Sequence, residues 1–319
     1  MTKTYRLDGY FRLKSPLSHI GESISNKSYL VQETILQDDG TTEEVFVYSG
    51  NAWRGQLRDL CASYMLDNLG GARVPMDAFH LLFSGGRIGG TQITDIGQAR
   101  RIRAAIPMVA VFGGGVGNQI LQGKLRVGNC YPVCREAVPV LPAAFHEQAA
   151  GIPYGRCTME KEHSRRDDAK IDSIRRHLAA EDCLLLEGDG GKKKGKGDVA
   201  DQMRIGMELV SPGVTLHTWI TLEDASEVEL GALVAGLHRF SANPAIGGKS
   251  AIGYGQVDLH YNLTFDGETQ SFLSIQDGVS RMSQPAEVAK EAYDQHLRAM
   301  YDAMLAAEKS EITKLLGAA

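Results

Sequence analysis

Along residues 4–14 apolar and polar positions alternate, with Tyr5, Leu7, Phe11 and Leu13 on one side and Arg6, Asp8, Arg12 and Lys14 on the other. A period of two predicts a half-buried strand with a cationic outer face. Ser15-Pro16 ends it, and the polar stretch 17–28 reads as an irregular loop before a second strand near 29–36. A turn at 38–43 leads to extended structure over 45–48. Ser49-Gly50-Asn51 then opens a helix in which Trp53, Leu57, Leu60 and Tyr64 recur at the spacing of one buried stripe, and Gly70-Gly71 stops it. Arg54 and Arg58, four apart, project together from a neighbouring face beside the helix start, where two cations call for an anion.

Residues 72–123 are punctuated by glycine, with one helix expected at 95–105 and a strand at 124–127. Segment 151–202 shows no apolar periodicity beyond a short helical pattern at 169–179 and reads as an extended insertion. After it, Met203, Ile205, Met207 and Leu209 alternate with polar residues. Ser211-Pro212-Gly213 makes a turn and Val214, Leu216, Thr218, Ile220 and Leu222 alternate again, the pattern of a β-hairpin. A helix at 226–239, a glycine loop at 247–255 and a strand through Val257, Leu259 and Tyr261 follow. Pro285 begins a terminal helix with Tyr293, Leu297, Met300 and Met304 on one face. The order β, α, β, β, α, β with long insertions predicts an α+β fold: an antiparallel sheet with helices on one face.

The chain has 319 residues, enough for about two domains or one with large insertions. No window holds the ~18 apolar residues of a membrane span, and MTKTYRLDGYFRLK lacks an apolar export core, so an intracellular, cytoplasmic protein without membrane contact is expected. A net charge of −5 excludes a histone-like coat of positive charge but not a local basic groove. The five cysteines read as reduced thiols. Cys130-x3-Cys134, with Cys157 and His163 beyond, is too loose for a structural zinc site, so neither metal nor cofactor is expected. Neither G-x-S-x-G nor H-E-x-x-H occurs, and no hydrolytic centre is specified.

The 36 glycines cluster, and the cluster at 247–255 carries most information. Its Gly-Lys-Ser is not a nucleotide-binding P-loop, because Asn243 stands where that motif needs glycine and the loop follows a helix instead of preceding one. Two readings stay open: a small-residue loop whose N–H groups and Lys249 hold a phosphodiester backbone while Tyr254 stacks on a base, or an ordinary turn. Gly113–Gly117 is likewise a phosphate cradle or a flexible loop. Lys192, Lys193, Lys194 and Lys196 form a solvated run that, with Arg165 and Arg166 of the same insertion, can reach over a nucleic-acid strand.

Four segments in order resemble the RAMP superfamily of CRISPR proteins, specifically the repeated backbone subunit of guide-RNA effector complexes. They are SPLSHIGE (15–22), YSGNAWRGQLRDL (48–60), VFGGGVGNQILQGKLRVGNCYPV (111–133) and NPAIGGKSAIGYGQVDL (243–259). The resemblance implies a modified RRM-like, ferredoxin-like core over 1–150 and 203–262, a thumb-like insertion at 151–202 and an extension at 263–319 ending in a helix at about 285–316. It also implies a subunit that assembles head-to-tail along a CRISPR guide RNA, beside other subunits, and presents the guide to a complementary target strand. By position, Arg54 and Arg58 match the family's helix-start arginines, and Gly247, Gly248, Lys249, Ser250 and Tyr254 its glycine loop. His19, Lys27, Arg165, Arg166, Lys192, Lys193 and Lys194 complete the expected RNA contacts. Members that cut target RNA use an aspartate after the first strand. Residues 17–37 offer Glu22 and Glu33 but no aspartate, which makes the chain resemble the non-cleaving type IV backbone protein. Two alternatives remain: cleavage of target RNA through Glu22, and guide processing with His19 as base.

Overall fold

In a computed structural model, residues 2–87, 96–165, 203–265 and 267–306, with the single residues His177 and Ala179, are described. The first strand (Lys3–Leu13) is the axis of a seven-stranded antiparallel sheet. Thr215–Ala225 and Val257–Phe265 flank it, and Leu125–Val127 and Tyr131–Pro132 pair with the far side of Thr215–Ala225. Following the helices Gly50–Asn68 and Glu227–Phe240 through this sheet gives β, α, β, β, α, β with the fourth, first, third and second strands side by side, the RRM/ferredoxin-like arrangement. Glu268–Gln276 and Val279–Met282 widen the sheet beyond the fourth strand. The extension after 262 therefore first continues the sheet and only then enters the terminal helix, Gln284–Ala306.

The alternation of the first strand sends Leu7, Phe11 and Leu13 into the core beneath the helices. Trp53 centres that core, edge-to-face with Phe11 and Phe240 at 5.2 and 5.0 Å, and its indole N–H donates to the Tyr261 hydroxyl at 3.1 Å. Ser49 caps the Trp53 helix, its Oγ accepting from the Asn51 N–H, and Ser226 with Glu229 forms a reciprocal capping box on Glu227–Phe240. The buried stripe of the Trp53 helix runs Trp53, Leu57, Arg58, Cys61, Ala62 and Met65, rotated from the expected Trp53, Leu57, Leu60, Tyr64.

Three further sequence expectations change. The stretch 17–28 is not irregular: Ile20–Ile24 and Lys27–Leu30 form a short hairpin, with Ser25 at positive φ in its turn. Met203–Val210 and Thr215–Ala225 are not a hairpin. The former pairs with Thr158–Arg165 and, in parallel, with Lys27–Leu30, while the latter joins the central sheet. The 151–202 insertion is thus carried on a two-stranded stem whose return strand lies within the stretch assigned to the core. Gly114–Val116 and Gln119–Leu121 form a hairpin in place of the cradle or flexible loop. The helical pattern at 169–179 lies outside the described residues apart from His177 and Ala179.

Candidate nucleic-acid interface

Three segments distant in sequence meet at one end of the central sheet. Where the first strand stops, residues 14–19 lie beside the glycine loop: Lys14 N–H donates to Gln256 O, Gly255 N–H to Pro16 O and Gly248 N–H to Ser18 O at 2.7–2.8 Å. Leu17 is bridged to Val210 at the foot of the stem. The helix start closes the junction, as the Ser49 N–H points at His19 Nε2 (3.5 Å) and the Gln56 amide donates to Ala245 O (2.7 Å). Gly247 faces the Tyr48 hydroxyl just before the helix.

Glycine at two of these positions is a steric requirement. Gly247 has φ +73°, and a Cβ there would lie 2.5 Å from Ser18 O; Gly255 has φ +74°, and a Cβ would lie 1.9 Å from Ile246 O. Gly248 has no such neighbour, its nearest at 3.6 Å. Residues 247–253 remain exposed, with Lys249 in the left-handed region (φ +64°) and Ile252 63% exposed at the tip. The loop is therefore a rigid, side-chain-poor ridge presenting one lysine.

The arginines of the helix start differ from each other and from expectation. Arg58 is 6% exposed, and its guanidinium donates to the carbonyls of Leu81 (3.2 Å), Phe112 (2.9 Å) and Gly113 (3.1 Å). Burial first, and the Arg54 cation second, bring it down to about 10. It holds the Phe112-Gly113 turn and does not face solvent, which corrects its assignment as a backbone contact. Arg54 is half-buried, donates to the same Phe112 carbonyl, and is lowered by burial and by nearby Arg126. Arg126, which sequence reasoning missed, stands at an outward position of its strand and pairs with Glu223 at 3.0 Å.

Tyr254 is corrected too. At 6% exposure it packs with Met207 and Leu209 of the stem, Lys161 Nζ lies 5.4 Å from its ring, and it offers no face to a base. It bonds the ridge to the stem by apolar contact. Ser250 is exposed beside Lys249. His19 is half-buried, 4.9 Å edge-to-face from Tyr48, and lowered by burial, so its neutral imidazole positions the helix start. Lys27 pairs with Glu160 at 2.8 Å on the stem. Arg165 lies on the stem strand, and Arg166, Lys192, Lys193 and Lys194 lie outside the described residues.

Of the acids considered for cleavage, Glu22 stands exposed on the Ile20–Ile24 strand, while Glu33 accepts from Asn129 and Tyr131. The cysteine set does not converge: Cys130 is in the central core, Cys134 and Cys157 in a satellite core, and His163 is exposed. No helix among the described residues is long and apolar enough to cross a membrane.

No family model matches the chain, and no curated protein matches it. Among solved structures, a chain described as "Type IV-B CRISPR Complex" superposes with a TM-score of 0.56 at 20% identity, covering 84% of this chain and 93% of that one. At that identity the likeness establishes the fold.

Proposed function

We propose that this chain is a guide-RNA-binding subunit of a CRISPR effector complex that holds the guide for pairing without cutting the target. The observation that carries the proposal is the interlock of helix start, residues 14–19 and glycine loop, which leaves a rigid exposed ridge with Lys249, Ser250 and open glycine backbone. Such a surface can follow a ribose–phosphate chain closely, and it reads backbone instead of sequence, leaving specificity to base pairing. The superposition with a chain of a type IV-B CRISPR complex, over 84% of the length, supports the same reading. In it, several copies line one guide head-to-tail.

His19 and Tyr254 then serve as positioning residues behind the junction, and Arg58 as the one that holds the Phe112-Gly113 turn. The test is the material purified with the protein: RNA of defined length, released by phenol and sized on a gel. Protein free of RNA and monomeric contradicts the proposal. Magnesium-dependent cutting of complementary RNA by the assembled complex, abolished by Glu22→Ala, replaces it with the cleaving alternative.

A further inference from the structure

The face of the central sheet away from the helices is only partly covered. Phe145, on the short-helix segment 135–150, packs against His217 (ring centroids 5.4 Å) and edge-on to Tyr10 (6.5 Å), and Tyr10 lies 5.6 Å from His260. Beside these rings a groove of about 520 Å³ opens between Arg12, Gln148, Asp258 and Gln276. A second groove of about 200 Å³ shares Arg12, Gln148 and Thr215 with the first and runs on to Arg156. The two adjoin at these shared residues and make one surface.

Its chemistry is specific. Arg12 donates to Thr215 Oγ1 at 2.9 Å and makes no ion pair with a described residue, so a guanidinium with five donors is held in place with most of them free. Asp258 is fixed by the Asp277 N–H at 3.0 Å and lies 3.6 Å from Lys14 Nζ. The two grooves thus offer a wall of three rings, one carboxylate acceptor, the amides of Gln148 and Gln276, Arg12 where they adjoin and Arg156 in the second. Apolar side chains of a docking peptide find few partners here. Bases stack on π faces, exocyclic amines and 2′-hydroxyls donate to carboxylates, and phosphates accept from arginine.

From this we infer a second nucleic-acid site: the open sheet face binds a single-stranded segment of about two nucleotides, one base against Tyr10, Phe145 and His260, with phosphates at Arg12 and Arg156. Asp258, which lines the first groove, lies three residues past Gly255 at the end of the glycine loop. The inference extends the proposed function, but the site is separate and can be tested apart from the ridge.

A pentaribonucleotide carrying 4-thiouridine is crosslinked to the full-length protein and the modified peptides are identified by mass spectrometry. The expected peptides contain Tyr10, Phe145 or His260. Tyr10→Leu, which keeps bulk but removes the π face, is expected to weaken pentanucleotide binding roughly 5- to 150-fold, in line with ~1–3 kcal/mol per stacked base. Arg12→Gln weakens it further, and neither change shifts the melting temperature by more than a few degrees. Crosslinks confined to 49–58 and 245–255 overturn the sheet-face site and leave the ridge reading intact. Sheet-face crosslinks that persist in Lys249→Glu while long-guide binding is unaffected sink the ridge reading alone. A protein segment found in these grooves by chemical crosslinking of the assembled complex also overturns the inference.

Discussion

On the helix-covered face of the central sheet, Leu7, Phe11 and Leu13 of the first strand are sealed beneath Trp53. One residue along the same strand, Arg6, Asp8, Tyr10 and Arg12 stand on the open face. The first set is satisfied by packing, which tolerates no water. The second is satisfied by pairing: Arg6 forks onto Asp8 at 2.8 Å and lies 4.1 Å over the Trp219 ring. The junction with the glycine loop combines both modes, with backbone donors and acceptors paired inside and an exposed ridge outside. A single chain thus separates the residues that make the fold from those offered to a partner, and the separation does not follow charge. Arg58, a cation, belongs to the interior.

The sharpest way to break that contrast is at Trp53. Trp53→Ala removes the central ring and its bond to Tyr261, and we expect a loss of ~3–5 kcal/mol in urea unfolding. A loss below about 1 kcal/mol would mean that the core is not organised around it. Next is Arg58→Met, which strips three carbonyls of their donor and should cost about 2–4 kcal/mol. Arg58→Lys should fail to restore it, since an ammonium cannot span the three oxygens. If Arg58→Met instead leaves the melting temperature alone and lowers RNA affinity, Arg58 belongs with the exposed set.

Gly247→Ala should cost ~1–3 kcal/mol and disturb the ridge, whereas Gly248→Ala, with room for a methyl, should be close to neutral. Equal melting points for the two would refute the steric account. The smallest effect concerns Asp8. Burial alone would raise its carboxyl, but the nearby His217 ring, its Nε2 3.9 Å away, and the Arg6 guanidinium that donates to it at 2.8 Å outweigh this and bring it down to about 2. Because the folded value lies below the unfolded one, the pair stabilises the fold above about pH 4, and that contribution fades as pH falls toward 2. The group is partly exposed, so solvent screening holds the effect to under ~1 kcal/mol. Asp8→Asn should flatten stability against pH in this window, and an unchanged acid limb would refute the pairing.

Much of this was legible in the sequence because it rests on strong periodicity. The alternation at 4–14, the Trp53 helix and the helix beginning at Pro285 all follow from patterns long enough to fix a face. Arg58 was misplaced because Leu60 and Tyr64 also suit a stripe from Trp53, and a shift of one position moves the buried face by 100°. Leu17 to Ser28 looked irregular because Ile20–Ile24 is exposed on both sides and Lys27–Leu30 is only four residues long, so neither carries an alternation. Met203 to Val210 alternates as a strand should, yet periodicity cannot say which sheet a strand joins. The glycine loop was visible as composition. That Tyr254 turns inward onto the stem depends on Met207 and Leu209, more than forty residues earlier.

The central claim is that the ridge grips a polynucleotide backbone, and the salt dependence of single-stranded RNA binding tests it most directly, in wild type and Lys249→Glu. The account predicts a log–log slope of roughly −0.7 per phosphate contacted, made shallower by about that amount or more in the variant, with the melting temperature unchanged. Identical slopes and affinities for the two proteins would contradict it.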